Sequence, residues 1–312
     1  MRDRVLEDAT RILKEGGFAV SDTCNIRPKS FDVVARRGDL VILLKVLLNI
    51  DGLDSETAAE MKALSAHLDA ESVVVGVKTR DHELEDGVLY LRRGVPAMSR
   101  GTAHDYFVEG VPPLVYMGSG GLYVNIDGDL LEDARDEEDM SLGTVADELG
   151  VSRRAVSKYE DGMDATLDVA VRLEEIFGES LISPVEVFEE EDPEDPEDTE
   201  ETTADGPEGE TERRVFAILR NAGFDVVPTA RAPFRALSRE SDETVLTGTG
   251  SAGSILKRAR LMSSISDVAR TESVYVVDEK PSRDSVEETA ILEVDDLEDV
   301  EGSDDLLSRI ES

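Results

Sequence analysis

The sequence is 312 residues long, enough for two or three domains of ordinary size, so a core can form without a disulfide or a metal. It carries 71 Asp and Glu against 33 Lys and Arg, a net charge of −38, and only eight of the basic residues are Lys. With 40% hydrophobic residues in periodic blocks the chain is not an acidic disordered protein, and it contains no run of 18 apolar residues to span a membrane.

The acid is spread through every predicted helix, which points to a cytoplasm of high salt: at about 1 M the Debye length falls to roughly 3 Å and self-repulsion is screened. The N-terminus lacks a charged-then-apolar signal pattern, so a cytoplasmic location is expected. The first predicted element is an amphipathic helix in which Val5, Leu6, Ala9, Ile12 and Leu13 follow helical spacing and Gly16-Gly17 forms the stop. Cys24, the one cysteine, has no companion at metal-ligand spacing and reads as a small buried residue in a reducing compartment. Strands follow at Phe31–Ala35 and Leu40–Leu48 around the turn Arg36-Arg37-Gly38-Asp39, then a helix, Ser55–Leu68, and an apolar strand, Ser72–Val77. His67, His82 and His104 are scattered singly and are assigned structural or surface roles. Leu114–Met117 and Leu122–Ile126 flank Gly118-Ser119-Gly120-Gly121. This reads as a β-hairpin and not a phosphate loop, because no Lys-Ser/Thr follows and the glycines precede a strand.

From Gly128 to Phe188 strand signals stop and four or five short helices are predicted, an all-α domain. Its diagnostic stretch is Met140–Asp161. Leu142, Val145, Ala146 and Leu149 share one helix face, Gly150 permits a sharp turn, and Ser152 is placed to cap the next helix. On that second helix Arg153, Arg154, Ser157 and Lys158 share one face, while Ala155, Val156 and Tyr159 share the opposite one. Residues 128–188 hold 17 acidic and 5 basic side chains, a net of −12, and three of the five are Arg153, Arg154 and Lys158. A polyanion such as double-stranded DNA is repelled by such a domain unless the contact face is locally basic, and these three residues supply such a face.

Glu189–Glu212 has no basic or aromatic residue and reads as an extended acidic linker that buries nothing. Beyond it the first segment repeats weakly: Ile12–Phe18 pairs with Ile218–Phe224, and Glu71–Val75 with Glu272–Val276. The second copy is expected to run helix Thr211–Asn221, strands near Phe234–Leu237 and Thr244–Leu246, helix Ser254–Val268 and strand Ser273–Val277. In both copies there is room for one more strand after the first helix. The domains are therefore read as 1–127 (α/β), 128–188 (all-α), 189–212 (linker) and 213–312 (a second, degenerate α/β copy with an acidic tail).

The motif built on Ala146, Gly150, Val151-Ser152-Arg153 and Val156-Ser157-Lys158-Tyr159-Glu160 resembles the lambda-repressor and Cro type of helix-turn-helix over roughly 60 residues, with Leu167–Phe177 and Pro184–Phe188 as closing helices. The resemblance implies that the second helix enters the major groove and brings Ser152, Arg153, Arg154, Ser157 and Lys158 to bases and phosphates. Leu142 departs from it, since that position often carries a phosphate-contacting glutamine. Arg153 or Arg154 is the expected bidentate partner of a guanine, and a homodimer on a two-fold site is expected. No small-molecule effector can be named.

The α-β-β-β-α-β order of the flanking copies resembles the restriction-endonuclease-like fold, whose metal site takes an acid on one strand and an acid-x-Lys triplet on the next. Asp32 and Lys45 match two of those positions, but the triplet reads Leu43-Leu44-Lys45, without its carboxylate. Arg235 and Leu246-Thr247-Gly248 stand there in the second copy. The copies therefore read as inactivated folds with no metal or cofactor, kept for dimerisation, ligand sensing or contact with the DNA backbone; an active nuclease would use Glu7, Asp32 and Lys45. The order of segments is similar to that of helix-turn-helix transcriptional regulators of archaea, in a halophilic version. A protein–protein adaptor in transcription is the alternative.

Overall fold

The computed structural model describes residues 1–178, 180–188, 207, 209–250, 255–279, 284–300 and 302–310. The first α/β unit runs α1 (Arg2–Glu15), β1 (Ala19–Val20), β2 (Val33–Arg37), β3 (Leu40–Asn49), α2 (Ser55–Leu68), β4 (Ala70–Lys78), β5 (Val88–Arg92), β6 (Val95–Met98) and α3 (Arg100–His104), which passes into a wider turn, Asp105–Glu109. A hairpin of β7 (Val115–Gly118) and β8 (Gly121–Ile126) prolongs the sheet. The buried side of α1, Val5, Leu6, Ala9, Ile12 and Leu13, is the stripe its spacing predicts. β3 is almost wholly apolar because it is a central strand, antiparallel to β2 and parallel to β4.

The middle segment folds as α4 (Gly128–Glu137), α5 (Leu142–Leu149), α6 (Arg153–Glu160), β9 (Ala165–Thr166), α7 (Leu167–Phe177) and β10 (Ile182–Ser183). It is not purely helical: β9 and β10 pair with β8, so the sheet of the first unit continues into this domain. Two-residue strands are too short to show a period, which is why the sequence hides them. Pro184–Phe188 is not a closing helix either. Ser183 is in a strand, Pro184 lacks the N–H an inner helical turn requires, and Val185 and Val187 alternate into the core under α1.

The predicted linker lies largely outside the described residues, but its last part is ordered. α8 (Glu210–Asn221) starts inside it, and Glu212 is buried. Then follow β11 (Asp225–Pro228), β12 (Ala236–Glu240), β13 (Glu243–Thr249), α9 (Ile255–Ala269), β14 (Glu272–Val277), β15 (Ser285–Val286), β16 (Thr289–Glu293), α10 (Val294–Leu297) and α11 (Ser303–Ile310). The expected acidic tail is thus folded, with Leu306 and Ile310 inserted into the core beneath α8.

The strand order β11-β12-β13-β14-β16-β15 repeats β1-β2-β3-β4-β6-β5, pair by pair and in the same directions. The repeated strand order closes in each unit with a hairpin, β5–β6 or β15–β16, that the repeat did not reveal. The two units share one core in which α9 packs on β2 and α2 on β12. Polar contacts at this junction are reciprocal. Arg36 donates to Ala269 O after crossing to the end of α9, and Arg239 crosses to the end of α2 to pair with Asp69 at 2.8 Å. Glu60 of α2 accepts from the backbone N–H groups of Ala230 and Arg231, while Ser264 of α9 accepts from that of Asp22. The two arginines are equivalent residues and show the reciprocity of a two-fold contact, made within one chain, whereas Glu60 and Ser264 answer each other only helix to helix.

Candidate nucleic-acid interface

α5 begins at Ser141, whose Oγ accepts from the Thr144 N–H at 3.1 Å, and buries Val145, Ala146 and Leu149. Gly150 ends it with φ +70, a conformation costly for any residue with a Cβ. The Val151 N–H returns to Ala146 O at 3.0 Å, turning the chain. Ser152 Oγ then accepts from the Ala155 N–H at 3.1 Å and opens α6, as its place in the sequence predicts. Val156 and Tyr159 are buried and Ala155 is half-buried against the same core, which also takes Leu142. Leu142 thus packs, which accounts for an apolar residue where a phosphate-contacting glutamine is common.

Ser152, Arg153, Arg154 and Lys158 are exposed and Ser157 half-buried on the outer face of α6. Among the described residues Arg153, Arg154 and Lys158 make no ion pair, although acidic side chains surround them in the sequence. The face is therefore a cationic strip whose charges no described residue neutralises by an ion pair.

Three further residues, which the sequence did not single out, hold α6 in place. The Arg153 side chain lies across Gly143 of α5, where an added Cβ would stand 2.6 Å from Nε. Gly128, at the start of α4, lets the helix approach the end of α6, and a Cβ there would be 2.2 Å from Glu160 O. Arg135 of α4 donates through Nε to Glu160 at 2.5 Å, with both side chains largely buried. That hydrogen bond raises the Arg135 pKa above its ordinary value. A glycine in the first turn of α5, at 143, and the lone arginine of α4 were the available signals.

The nuclease-like residues are arranged otherwise. Asp32 is fully buried; its carboxylate accepts from Arg2 Nη2 at 2.6 Å, Lys29 Nζ at 2.5 Å and the Val46 N–H at 2.7 Å. Burial alone would raise this carboxyl, but the bonds from Lys29, Arg2 and Val46 hold it below the usual range. Lys45 donates to the Lys29 and Ser30 carbonyls at 2.7 and 3.0 Å, and burial lowers its pKa. Glu7 stands exposed on α1. No group of three or more His, Cys, Asp or Glu able to hold a metal occurs among the described residues. Two cations thus occupy the acceptor sites that an acid in a metal centre would present to the ion.

In the second unit the Arg235 N–H donates to Thr247 O just as the Asp32 N–H donates to Leu44 O, so the two side chains are equivalent. Arg235 pairs with Glu212 of α8 at 2.5 Å. Gly248 takes the place of Lys45 and is covered by the Tyr275 ring and the Met262 sulfur, which would lie 2.5 and 2.7 Å from an added Cβ.

Two family models match the chain: a PD-(D/E)XK superfamily domain over residues 2–113 and a helix-turn-helix over residues 131–182. A protein of Halobacterium salinarum is 50% identical over 98% of this chain and 95% of its own length. One of Natronomonas pharaonis is 52% identical over 99% and 98%, and one of Methanosarcina mazei 46% identical over 96% and 94%. Each bears the name "Putative HTH-type transcriptional regulatory protein". No solved structure matches. The expected resemblance to the helix-turn-helix is thus met, and that to the nuclease-like fold is met in the first of the two copies, and the chain belongs to this archaeal family of HTH-type transcriptional regulatory proteins.

Proposed function

We propose that the chain is a sequence-specific DNA-binding regulator of transcription that places α6 in the major groove. Arg153 or Arg154 pairs with a guanine, while Ser152, Ser157 and Lys158 reach bases and phosphates. The observation that carries this reading is the strip of three exposed cations without ion-pair partners among the described residues, on a chain of net charge −38. In molar salt counterion release contributes little, so base contacts carry more of the affinity than in dilute buffer.

The organisation proposed with it is an α/β domain (1–127), the reader (128–188), an acidic linker centred on the segment after Phe188, and a C-terminal unit that is a second, degenerate copy of the first. The common strand order and the equivalence of Asp32 and Arg235 support that copy. The protein acts in the cytoplasm as a homodimer on a two-fold site. Neither α/β unit is a nuclease in this reading: Asp32 is saturated by Arg2 and Lys29, and the second unit has an arginine in its place.

Selection from random duplex DNA at molar KCl tests the proposal, with Arg153→Ala/Arg154→Ala as control. Enrichment of a short two-fold motif that the double variant loses is expected. A folded wild type that enriches nothing would overturn sequence-specific binding in favour of the protein–protein adaptor.

A further inference from the structure

We propose that the β7–β8 hairpin is the surface through which two copies of this chain meet. The proposal deepens the reading of a dimeric regulator and relies on it for the need of a second copy, since each chain has one recognition helix. The junction through which the α/β units could have joined two chains is already filled within one, by α2, α9, β2 and β12. Another surface must therefore serve.

A two-fold contact sets a patch against its own copy, so a patch charged with one sign opposes itself. Between chains of net charge −38 the least costly meeting place is one without charge. Gly110–Ile126, 17 residues, is the longest uncharged run in a sequence of which 33% is charged. Burial does not explain it: Val111 is 56% exposed, Leu114 44%, and Ser119 and Gly120 are exposed at the turn.

Strand alternation puts Leu114 and Tyr116 on one face, with Tyr123 opposite Tyr116, while Val115 and Met117 turn toward the core on the other side; Leu114 is exposed, and Tyr116 and Tyr123 are half-buried, Tyr116 resting against the core beneath α1. The two tyrosine rings stack at 5.8 Å and 24°. Gly118 and Gly120 leave the space that the Tyr123 side chain covers, since a Cβ on Gly118 would come within 2.8 Å of its ring and one on Gly120 within 2.6 Å of its hydroxyl. The result is an aromatic hairpin without charged residues of its own, of a composition that protein interfaces favour, with Asp164 at its border. It is also rigidly tied to the reader. β8 pairs with β9 and β10, and Tyr116 Oη donates to Asp164 Oδ2 at 2.6 Å, just beyond α6. Joining two hairpins therefore fixes the spacing of two recognition helices.

Sedimentation equilibrium of the full chain at molar KCl, without DNA, tests the contact. The wild type is expected at twice its 34.0 kDa mass. Leu114→Glu and Ser119→Asp, each shown folded by circular dichroism, are expected to raise the dimer Kd at least about tenfold by burying like charges against each other. Leu256→Glu, an equally exposed leucine on α9, is expected to leave it unchanged. A wild-type monomer at all concentrations up to about 100 μM, or a dimer indifferent to both hairpin variants, would overturn the proposal. A monomer that still selects a DNA sequence sinks this contact alone, whereas a dimer that selects none sinks the regulator reading alone.

Discussion

Asp32 and Arg235 occupy the same place in the two α/β units, one strand-edge position whose N–H meets the next strand's carbonyl at 2.7 Å in both, and they carry opposite charges. In each unit the first helix supplies the counter-charge: Arg2 from α1, Glu212 from α8. The position that a metal-dependent nuclease would use to hold an ion holds an ion pair instead, once with each polarity. Removing one member of such a pair leaves the other charge buried and unmatched. Asp32→Asn is therefore expected to destabilise the protein by about 3 kcal/mol, and Arg235→Met by a similar amount. Denaturant unfolding at molar KCl measures both.

The same pair predicts a pH dependence. The Asp32 carboxyl is held below its ordinary value of 3.8 in the folded protein. A depressed folded pKa contributes stability that is complete above the unfolded value and lost as pH falls through the folded one. The stability gap between wild type and Asp32→Asn should be flat from about pH 7 to about pH 5 and close below about pH 4. A gap that widens toward acid would contradict this assignment.

At the recognition helix, single substitutions should separate specificity from affinity. Replacing whichever of Arg153 and Arg154 meets a guanine is expected to cost about 1–3 kcal/mol at one base position and to relax the preference there. Lys158→Ala should weaken all sequences alike and flatten the salt dependence by about one unit. Quantitative binding to the selected motif and its single-base variants, over a KCl series, distinguishes the two.

Gly128→Ala tests how α6 is held. The methyl group has no room beside Glu160 O, and the obstacle is backbone, so the substitution should destabilise by about 1–3 kcal/mol despite favouring helix. Arg135→Ala should lower DNA affinity more than its distance from the outer face suggests, because Glu160 loses the partner that anchors the end of α6. Thermal unfolding and binding measured on both variants check this.

No cleavage is expected from the purified protein with Mg2+ or Mn2+, and Asp32→Ala should change its stability without changing any trace activity. Metal-dependent cleavage of a duplex that Asp32→Ala abolishes would restore the nuclease reading.

Much of this was legible in the residues because it rests on local periodicity. Val5 to Leu13 mark α1, and Gly150 and Ser152 mark the end of α5 and the start of α6 by backbone freedom and capping alone. The ion pairs were not legible, since Arg2 and Asp32 are 30 positions apart and Glu212 sits at the end of an acidic run. Glu212 nonetheless gave a signal. With Val215, Phe216 and Leu219 it lies on the apolar stripe of its helix, where a carboxylate requires a buried partner. β9 and β10 gave none, being fixed by the free edge of β8 and not by their own side chains.

The reciprocal junction between the units has a consequence for how the molecule can change. In a contact between identical chains every substitution appears twice, so Glu60 could not bind the backbone of one partner while its counterpart did something else. Here each side is encoded separately. Glu60 grips Ala230 and Arg231 while the equivalent place on α9 holds Leu261 and a different residue, Ser264, meets Asp22; within the units, Asp32 of one stands where the other has Arg235. One side can be altered without its mirror image, so the symmetry of the scaffold no longer binds the sequence that built it.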